Sequence, residues 1–148
     1  MAQIILTGED GINIPRKLLT KVATRTLQIA GCKKKHSVCI SLVNDLYIKK
    51  LNKLYRGKNK PTDVLSFSAP KEVPSLKDFL GDVIISVQTA KKNAKAEGVS
   101  LKEEFVRLTV HGLLHLLGYD HEAGVEKNKA QKMMKLQEKV IHKIIVEL

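Results

Sequence analysis

The sequence predicts an α/β (α+β) fold: a small, mixed, roughly four-stranded sheet flanked by about five helices in a single domain. Three observations support this class. Apolar periodicity gives nine elements in the order β-α-β-α-β-β-α-α-α. A chain of 148 residues, 43% of them hydrophobic, is long enough to bury about 70% of its unfolded surface in one core. Right-handed crossovers favour parallel pairing of the early strands, with residues 63–87 adding a hairpin or an edge strand.

The first four elements alternate between strand and helix. They are Gln3 to Thr7, Pro15 to Gly31, Val38 to Val43 and Asn44 to about Tyr55. Pro15 and Gly31 bound the first helix, because proline fits the first turn and glycine commonly ends a helix. Asn44 is a good N-cap for the second helix. The inner face of this second helix is predicted to consist of three leucines, Leu46, Leu51 and Leu54.

The remaining elements are two strands followed by three helices. They are Asp63 to Phe67, Asp82 to Val87, Gln88 to Glu97, a helix from Ser100, and about Val125 to Val146. Ser100 and Glu103 form a capping box, so a helix begins there and carries His111. Glu104 lies nearly beneath His111 on that helix, where we expect a salt bridge or solvent to be its partner.

Three of the five histidines, His111, His115 and His121, fall within eleven residues. Residues four apart share one face of a helix, so His111 and His115 converge on one point. Gly118 is placed to end this helix, and a turn there can bring His121 back toward the other two. Three neutral imidazoles leave a fourth tetrahedral position for water, which is typical of catalytic zinc sites, although nickel, copper and iron also suit such ligands.

The spacing is that of the long zinc-protease signature H-E-x-x-H-x-x-G-x-x-H, with one difference. Gly112 replaces the glutamate that serves as general base in those proteases. We therefore predict a metallohydrolase other than an ordinary protease. A cluster of packed histidines and a structural zinc site are the alternatives. Asp120 and Glu122 flank His121 and suit a fourth ligand, an orienting role, a general base or a solvated acidic turn.

The charge balance favours a polyanionic partner. The chain carries 26 Lys and Arg against 15 Asp and Glu, for a net charge of +11. It has no Trp, three Tyr and three Phe, so we expect recognition of a nucleic-acid backbone and shape rather than a broad base-stacking platform. A membrane span is not expected, because no apolar stretch reaches the roughly 20 residues that it needs. The membrane surface is a weaker alternative partner, because no terminal helix combines a basic face with exposed aromatic residues.

The two cysteines and the first residues indicate a cytoplasmic protein. Cys32 and Cys39 do not form a C-x-x-C pair, and Cys39 lies in an apolar run that suits core packing. Residues 1–7 read as a strand, which is unlike a signal or transit peptide.

Four segments resemble those of the YbeY family of bacterial rRNA maturation factors, which are metal-dependent single-strand endoribonucleases. They are HGLLHLLGYDH at 111–121, NKLYRGK at 52–58, PTDVLSF at 61–67 and LGDVIIS at 80–86. The segments follow the family's order and cover much of residues 44–145. Asn59, where the family has an aspartate, and Ser68, where a proline is common, depart from the pattern without touching the proposed ligands.

The resemblance implies one metallohydrolase domain over residues 1–148, with one zinc ion on His111, His115 and His121 and with Arg56 as the functional arginine. It also implies cleavage of single-stranded RNA in rRNA processing, including 16S 3′-end maturation, and in ribosome quality control, with RNA and ribosomal particles as partners. Arg56 suits this chemistry, because its planar fork can hold two phosphate oxygens. Without the resemblance, an arginine that favours the helix dipole is the default.

Two other functions remain open. One is a zinc peptidase-like hydrolase that takes its general base from elsewhere in the chain. The other is a non-catalytic, ribosome-associated RNA-binding protein in which the metal only stabilises the fold. The sequence does not decide whether water or an RNA 2′-hydroxyl would be the attacking group.

Overall fold

The structure, a computed structural model, describes residues 2–32, 35–118 and 127–148, but not the side chains of residues 127–130. Its framework is a mixed four-stranded sheet. The strands are β1 (Gln3–Gly8), β2 (Ser37–Val43), β3 (Val64–Ser68) and β4 (Phe79–Ser86). Their order in the sheet is β1-β2-β4-β3. β1, β2 and β4 run parallel, whereas β3 pairs antiparallel with β4 at the edge. The predicted mixed sheet, with early parallel pairing and an edge strand from residues 63–87, is confirmed.

Within the described ranges, five α-helices accompany the sheet, as the sequence predicted. They are α1 (Arg16–Ile29), α2 (Asp45–Arg56), α3 (Val87–Glu97), α4 (Leu101–Leu116) and α5 (Lys127–Glu147). A 3₁₀ turn (Pro74–Leu76) lies between β3 and β4. β4 begins at Phe79 rather than at the predicted Asp82, because Gly81 lies inside the strand with a φ of 138°. A side chain at Gly81 would clash with the carbonyl oxygen of Phe67, so only glycine fits there.

α4 contributes to both of the larger apolar clusters. Its Leu108 and Leu113 join the cluster between the sheet and α1, and its Leu114 joins the cluster with α1 and α5. The predicted cap is present, since Oγ of Ser100 accepts a hydrogen bond from the Glu103 amide at 3.0 Å. Packing on both sides fixes the rotation of α4 about its axis, and therefore the direction in which its histidines point.

α2 packs through a different face from the predicted one. Ile48 and Asn52 are buried, whereas Leu46 and Leu54 are 68% and 71% exposed. The prediction that Leu46 and Leu54 lie on the inner face is therefore wrong, although half-buried Leu51 does pack against an apolar cluster. The physical reason is that a buried asparagine finds a partner in the following loop, which a pattern based on apolar residues does not detect.

The described part of the chain contains no helix that is both long and apolar enough to cross a membrane. Cys32 and Cys39 are both free thiols. Burial raises the pKa of each thiol above its ordinary value, which favours the protonated and less reactive form.

Candidate active site

A cavity of about 600 Å³ opens between α2, the loop that follows it, β3 and α4. Its described lining combines two histidines, three cations, three polar residues and two apolar residues: Asn52, Arg56, Lys58, Lys60, Thr62, Val64, Leu65, Ser66, His111 and His115. None of these side chains is a carboxylate. The described part of the lining is therefore cationic, which favours an anionic ligand.

His111 and His115 meet in this cavity. They lie one turn apart on α4, with ring centroids 4.8 Å apart and an interplanar angle of 64°. Both side chains are half-buried, so each is held by α4 and still reaches the cavity. The structure thus brings together two of the three residues that the sequence predicted as metal ligands.

Gln137 of α5 orients His111. Nδ1 of His111 lies 2.7 Å from Oε1 of Gln137, which is only 3% exposed. Because an amide oxygen can only accept, His111 donates its Nδ1–H in this contact, and the bond fixes the orientation of the ring. Sequence reasoning missed Gln137, although a polar residue on the inner stripe of α5, four residues after Met133 and three before Val140, was the available signal.

The described residues supply two of the three imidazoles predicted to hold a zinc ion. His121, Asp120 and Glu122 lie outside the described residues. Within the described ranges, no group of three His, Cys, Asp or Glu side chains is placed to hold a metal ion. The two described imidazoles nevertheless fit such an ion, because they share one face and the orienting bond to His111 is the usual companion of a metal-ligating histidine.

Arg56 ends α2 at the rim of the same cavity. Gly57 caps the helix in the left-handed conformation, with a φ of 71°, and turns the chain away directly after the arginine. One terminal nitrogen of Arg56 donates to the carbonyl oxygen of Ser66 at 3.0 Å, and Cζ lies 5.7 Å from the ring centroid of Phe67. Contacts with β3 therefore hold the guanidinium against the cavity wall.

Gly112 is a packing position. A Cβ there would lie 2.5 Å from Cγ1 of Val83, and the Gly112 carbonyl accepts a hydrogen bond from Oγ of Ser66 at 3.0 Å. This position faces the sheet rather than the cavity, so a glutamate would clash with β4 instead of reaching substrate. The close contact supports the prediction that the site is not that of an ordinary zinc protease.

Two sets of bonds anchor the loop between α2 and β3. The side-chain amide of Asn52 donates to the Lys60 carbonyl at 2.9 Å. At the other end of the loop, Asp63 accepts from Arg107 at 3.4 Å, and Arg107 also pairs with buried Glu104. Burial alone would lower the pKa of Arg107, but Glu104 and Asp63 raise it above its ordinary value, so the arginine stays charged. Of the two partners expected for Glu104, a salt bridge or solvent, the structure shows the salt bridge.

The fold and the site define a class: a small α/β protein with a pair of ligand-type histidines beside a cationic cavity. Residues 7–145 match the model of the family described as Endoribonuclease YbeY. The chain belongs to the YbeY family, as its four segments predicted.

Individual relatives agree with the family match. The chain is 42% identical to "Endoribonuclease YbeY" of Sulfurihydrogenibium sp. over 92% of this chain and 82% of that protein. It is 33% identical to the protein of the same name from Syntrophomonas wolfei over 99% of both chains. Among solved structures, the solution structure of TM1509 from Thermotoga maritima matches 98% of this chain and 91% of that chain, with a TM-score of 0.67 and 30% identity.

Proposed function

We propose that this protein is a metal-dependent endoribonuclease that cuts single-stranded RNA in rRNA processing, including 16S 3′-end maturation, and in ribosome quality control. Membership of the YbeY family supports the endoribonuclease class. The observation that carries the proposal is that His111 and His115 share one cavity with Arg56, Lys58 and Lys60. Imidazoles suited to a metal ion and cations suited to phosphate therefore face the same space.

His111, His115 and His121 are the proposed ligands, and zinc is the preferred ion. A zinc ion held by these three imidazoles would supply Lewis-acid chemistry, activating a water near neutral pH and polarising a phosphoryl oxygen. Gln137 orients the His111 ring by accepting the hydrogen bond from Nδ1. No general base from the position after His111 is then needed, which agrees with the packing role of Gly112.

Arg56 is the proposed catalytic residue. Its planar guanidinium can hold two oxygens of one phosphate and stabilise the negative charge that grows on them during attack. The bond to Ser66 and the contact with Phe67 orient the group before substrate arrives. Lys58 and Lys60 draw the adjoining phosphates toward the cavity. These roles are the same whether water or a 2′-hydroxyl attacks.

Ribosomal RNA and ribosomal particles are the proposed partners, and the cytoplasm is the proposed location. A net charge of +11 supports binding to RNA that weakens as salt is added. Two free cysteines agree with a reducing compartment.

The test is cleavage of single-stranded fragments of the 16S 3′ region by the purified full chain. We expect cutting that a chelator stops and that added divalent metal restores, with duplex RNA and peptides left intact. Peptide cleavage without action on RNA would select the peptidase alternative. Salt-sensitive RNA binding without cleavage under any divalent metal would select the non-catalytic binder.

A further inference from the structure

An aromatic pair continues the cavity wall beyond Arg56. The ring centroids of Tyr55 and Phe67 are 5.1 Å apart with an interplanar angle of 60°, so one ring meets the other edge to face. Arg56 contacts the same phenylalanine, with Cζ 5.7 Å from its centroid. Phe67 is therefore shared by a residue that lines the cavity and a residue that lies outside it.

The two rings differ in exposure. Phe67 is half-buried and packs against the apolar cluster of Val43, Ile48 and Leu65, so it is a fixed support. Tyr55 is 62% exposed. A large ring that contacts a fixed neighbour on one side and is otherwise mostly open to solvent is suited to receive a flat ligand.

We propose that Tyr55, supported by Phe67, forms a stacking site for one base of the RNA strand whose phosphate Arg56 binds. The inference rests on the proposed function, because that function places RNA in the neighbouring cavity. Charge complementarity favours this occupant, since Arg56, Lys58 and Lys60 attract a polyanion to the same rim. A strand held there by its phosphates presents its bases to the adjoining surface, and stacking on an aromatic ring tolerates any base.

The stacking site refines the recognition expected from composition. Three tyrosines and three phenylalanines are too few for a broad platform, but one exposed ring beside the phosphate site suffices for one base. Such a site would hold the nucleotide next to the cut and favour unpaired RNA, because a base within a duplex cannot turn outward without unstacking.

Matched variants test the proposal. Binding of labelled single-stranded RNA to the full chain is measured in chelator, so that the result does not depend on cleavage. Tyr55→Ala should weaken binding about 5- to 150-fold, the usual loss for one aromatic–base contact, whereas Tyr55→Phe should bind like the wild type. Tyr47→Ala is the control, because Tyr47 is 47% exposed on the same helix but eight residues away, about 12 Å along the axis.

A series of RNAs with one abasic nucleotide at successive positions separates stacking from a structural effect. The wild type should lose affinity at one position, and Tyr55→Ala should lose nothing further there. Wild-type affinity in Tyr55→Ala, an equal loss in Tyr47→Ala, or additive losses at every position would overturn the stacking site. Failure of the wild type to cut RNA with metal present would instead reject the proposed function, so the two failures are distinguishable.

Discussion

Nδ1 of His111 on α4 and Oε1 of Gln137 on α5 are 2.7 Å apart, although 26 residues separate them in the chain. The bond crosses the contact between the two helices in a region where Gln137 is buried. α5 thus fixes the orientation of a proposed metal ligand, although none of its described side chains lines the cavity. Packing of the C-terminal helix and metal affinity are consequently coupled.

Gln137→Ala should lower metal affinity by about 10- to 100-fold, the usual cost of losing the partner of a ligating histidine. The cause is that His111 loses the acceptor that fixes its ring and its tautomer. Competition with a chromophoric chelator measures the affinity. Gln131→Ala is the matched control, since Gln131 is exposed on the same helix and should retain wild-type affinity. Equal affinities in the two variants would contradict the orienting role.

Arg56→Ala should keep the metal content and lose about 10²- to 10³-fold in the rate of RNA cleavage, comparable to removing one transition-state donor. Arg56→Lys should recover only part of the rate, because the ammonium group of lysine cannot hold two phosphate oxygens at once as the planar guanidinium of arginine does. Single-turnover kinetics give the rate, and Lys53→Ala, in the same helical turn but outside the cavity, is the control. An unchanged rate of RNA cleavage in Arg56→Ala would show that Arg56 has a structural rather than a catalytic role.

Gly112→Ala should destabilise the protein by about 1–3 kcal/mol, because the new methyl group would overlap the side chain of Val83. Val83→Ala makes room for that group, so the double variant should be more stable than the sum of the single losses predicts. Urea unfolding of the three variants measures the coupling. A Gly112→Ala protein as stable as the wild type would show that α4 and β4 are not in close contact here.

Asp45→Asn should make the protein less stable near neutral pH. Burial alone would raise the pKa of Asp45, but hydrogen bonds from Ser86 at 2.5 Å and Thr89 at 2.6 Å, with Lys92 nearby, lower it below its ordinary value of 3.8. A lowered folded-state pKa stabilises the protein above pH 3.8, and this contribution is lost as the pH falls through the folded value.

The expected loss for Asp45→Asn is about 1–2 kcal/mol at pH 7, and the difference from the wild type should shrink steadily below about pH 4. Urea unfolding at a series of pH values from 7 to 2.5 measures both effects. Asp10→Asn, at an exposed position, should not reproduce the loss. A difference between Asp45→Asn and the wild type that stays constant over this range would contradict the assigned bonds.

Local signals in the sequence predicted the elements and part of the site. The Ser100–Glu103 capping box fixed the start of α4, and helical spacing then placed His111 and His115 on one face. Runs of apolar and β-branched residues were sufficient to predict the four strands, because the tendency of a segment to form a strand depends on residues close together in the sequence.

The contacts that sequence reasoning missed join elements that are distant in the chain. The bonds from Gln137 to His111 and from Ser66 to Gly112 depend on how α5 and β3 pack against α4, which periodicity within one element does not contain. The prediction of leucines on the inner face of α2 is wrong for a related reason. The buried side chain of Asn52 is satisfied by a hydrogen bond to the Lys60 carbonyl, which lies in the following loop. The role of His121 stays a prediction, because that residue lies outside the described ranges.

Elemental analysis of purified His115→Ala, together with its activity on single-stranded rRNA fragments, tests the central claim most directly. The wild type should carry about one divalent transition-metal ion per chain, and the variant should lose both the ion and RNA cleavage, because an imidazole ligand has been removed. His142→Ala, at an exposed position of α5, should retain both. A His115→Ala protein that lacks the metal and still cuts RNA at the wild-type rate would contradict the account.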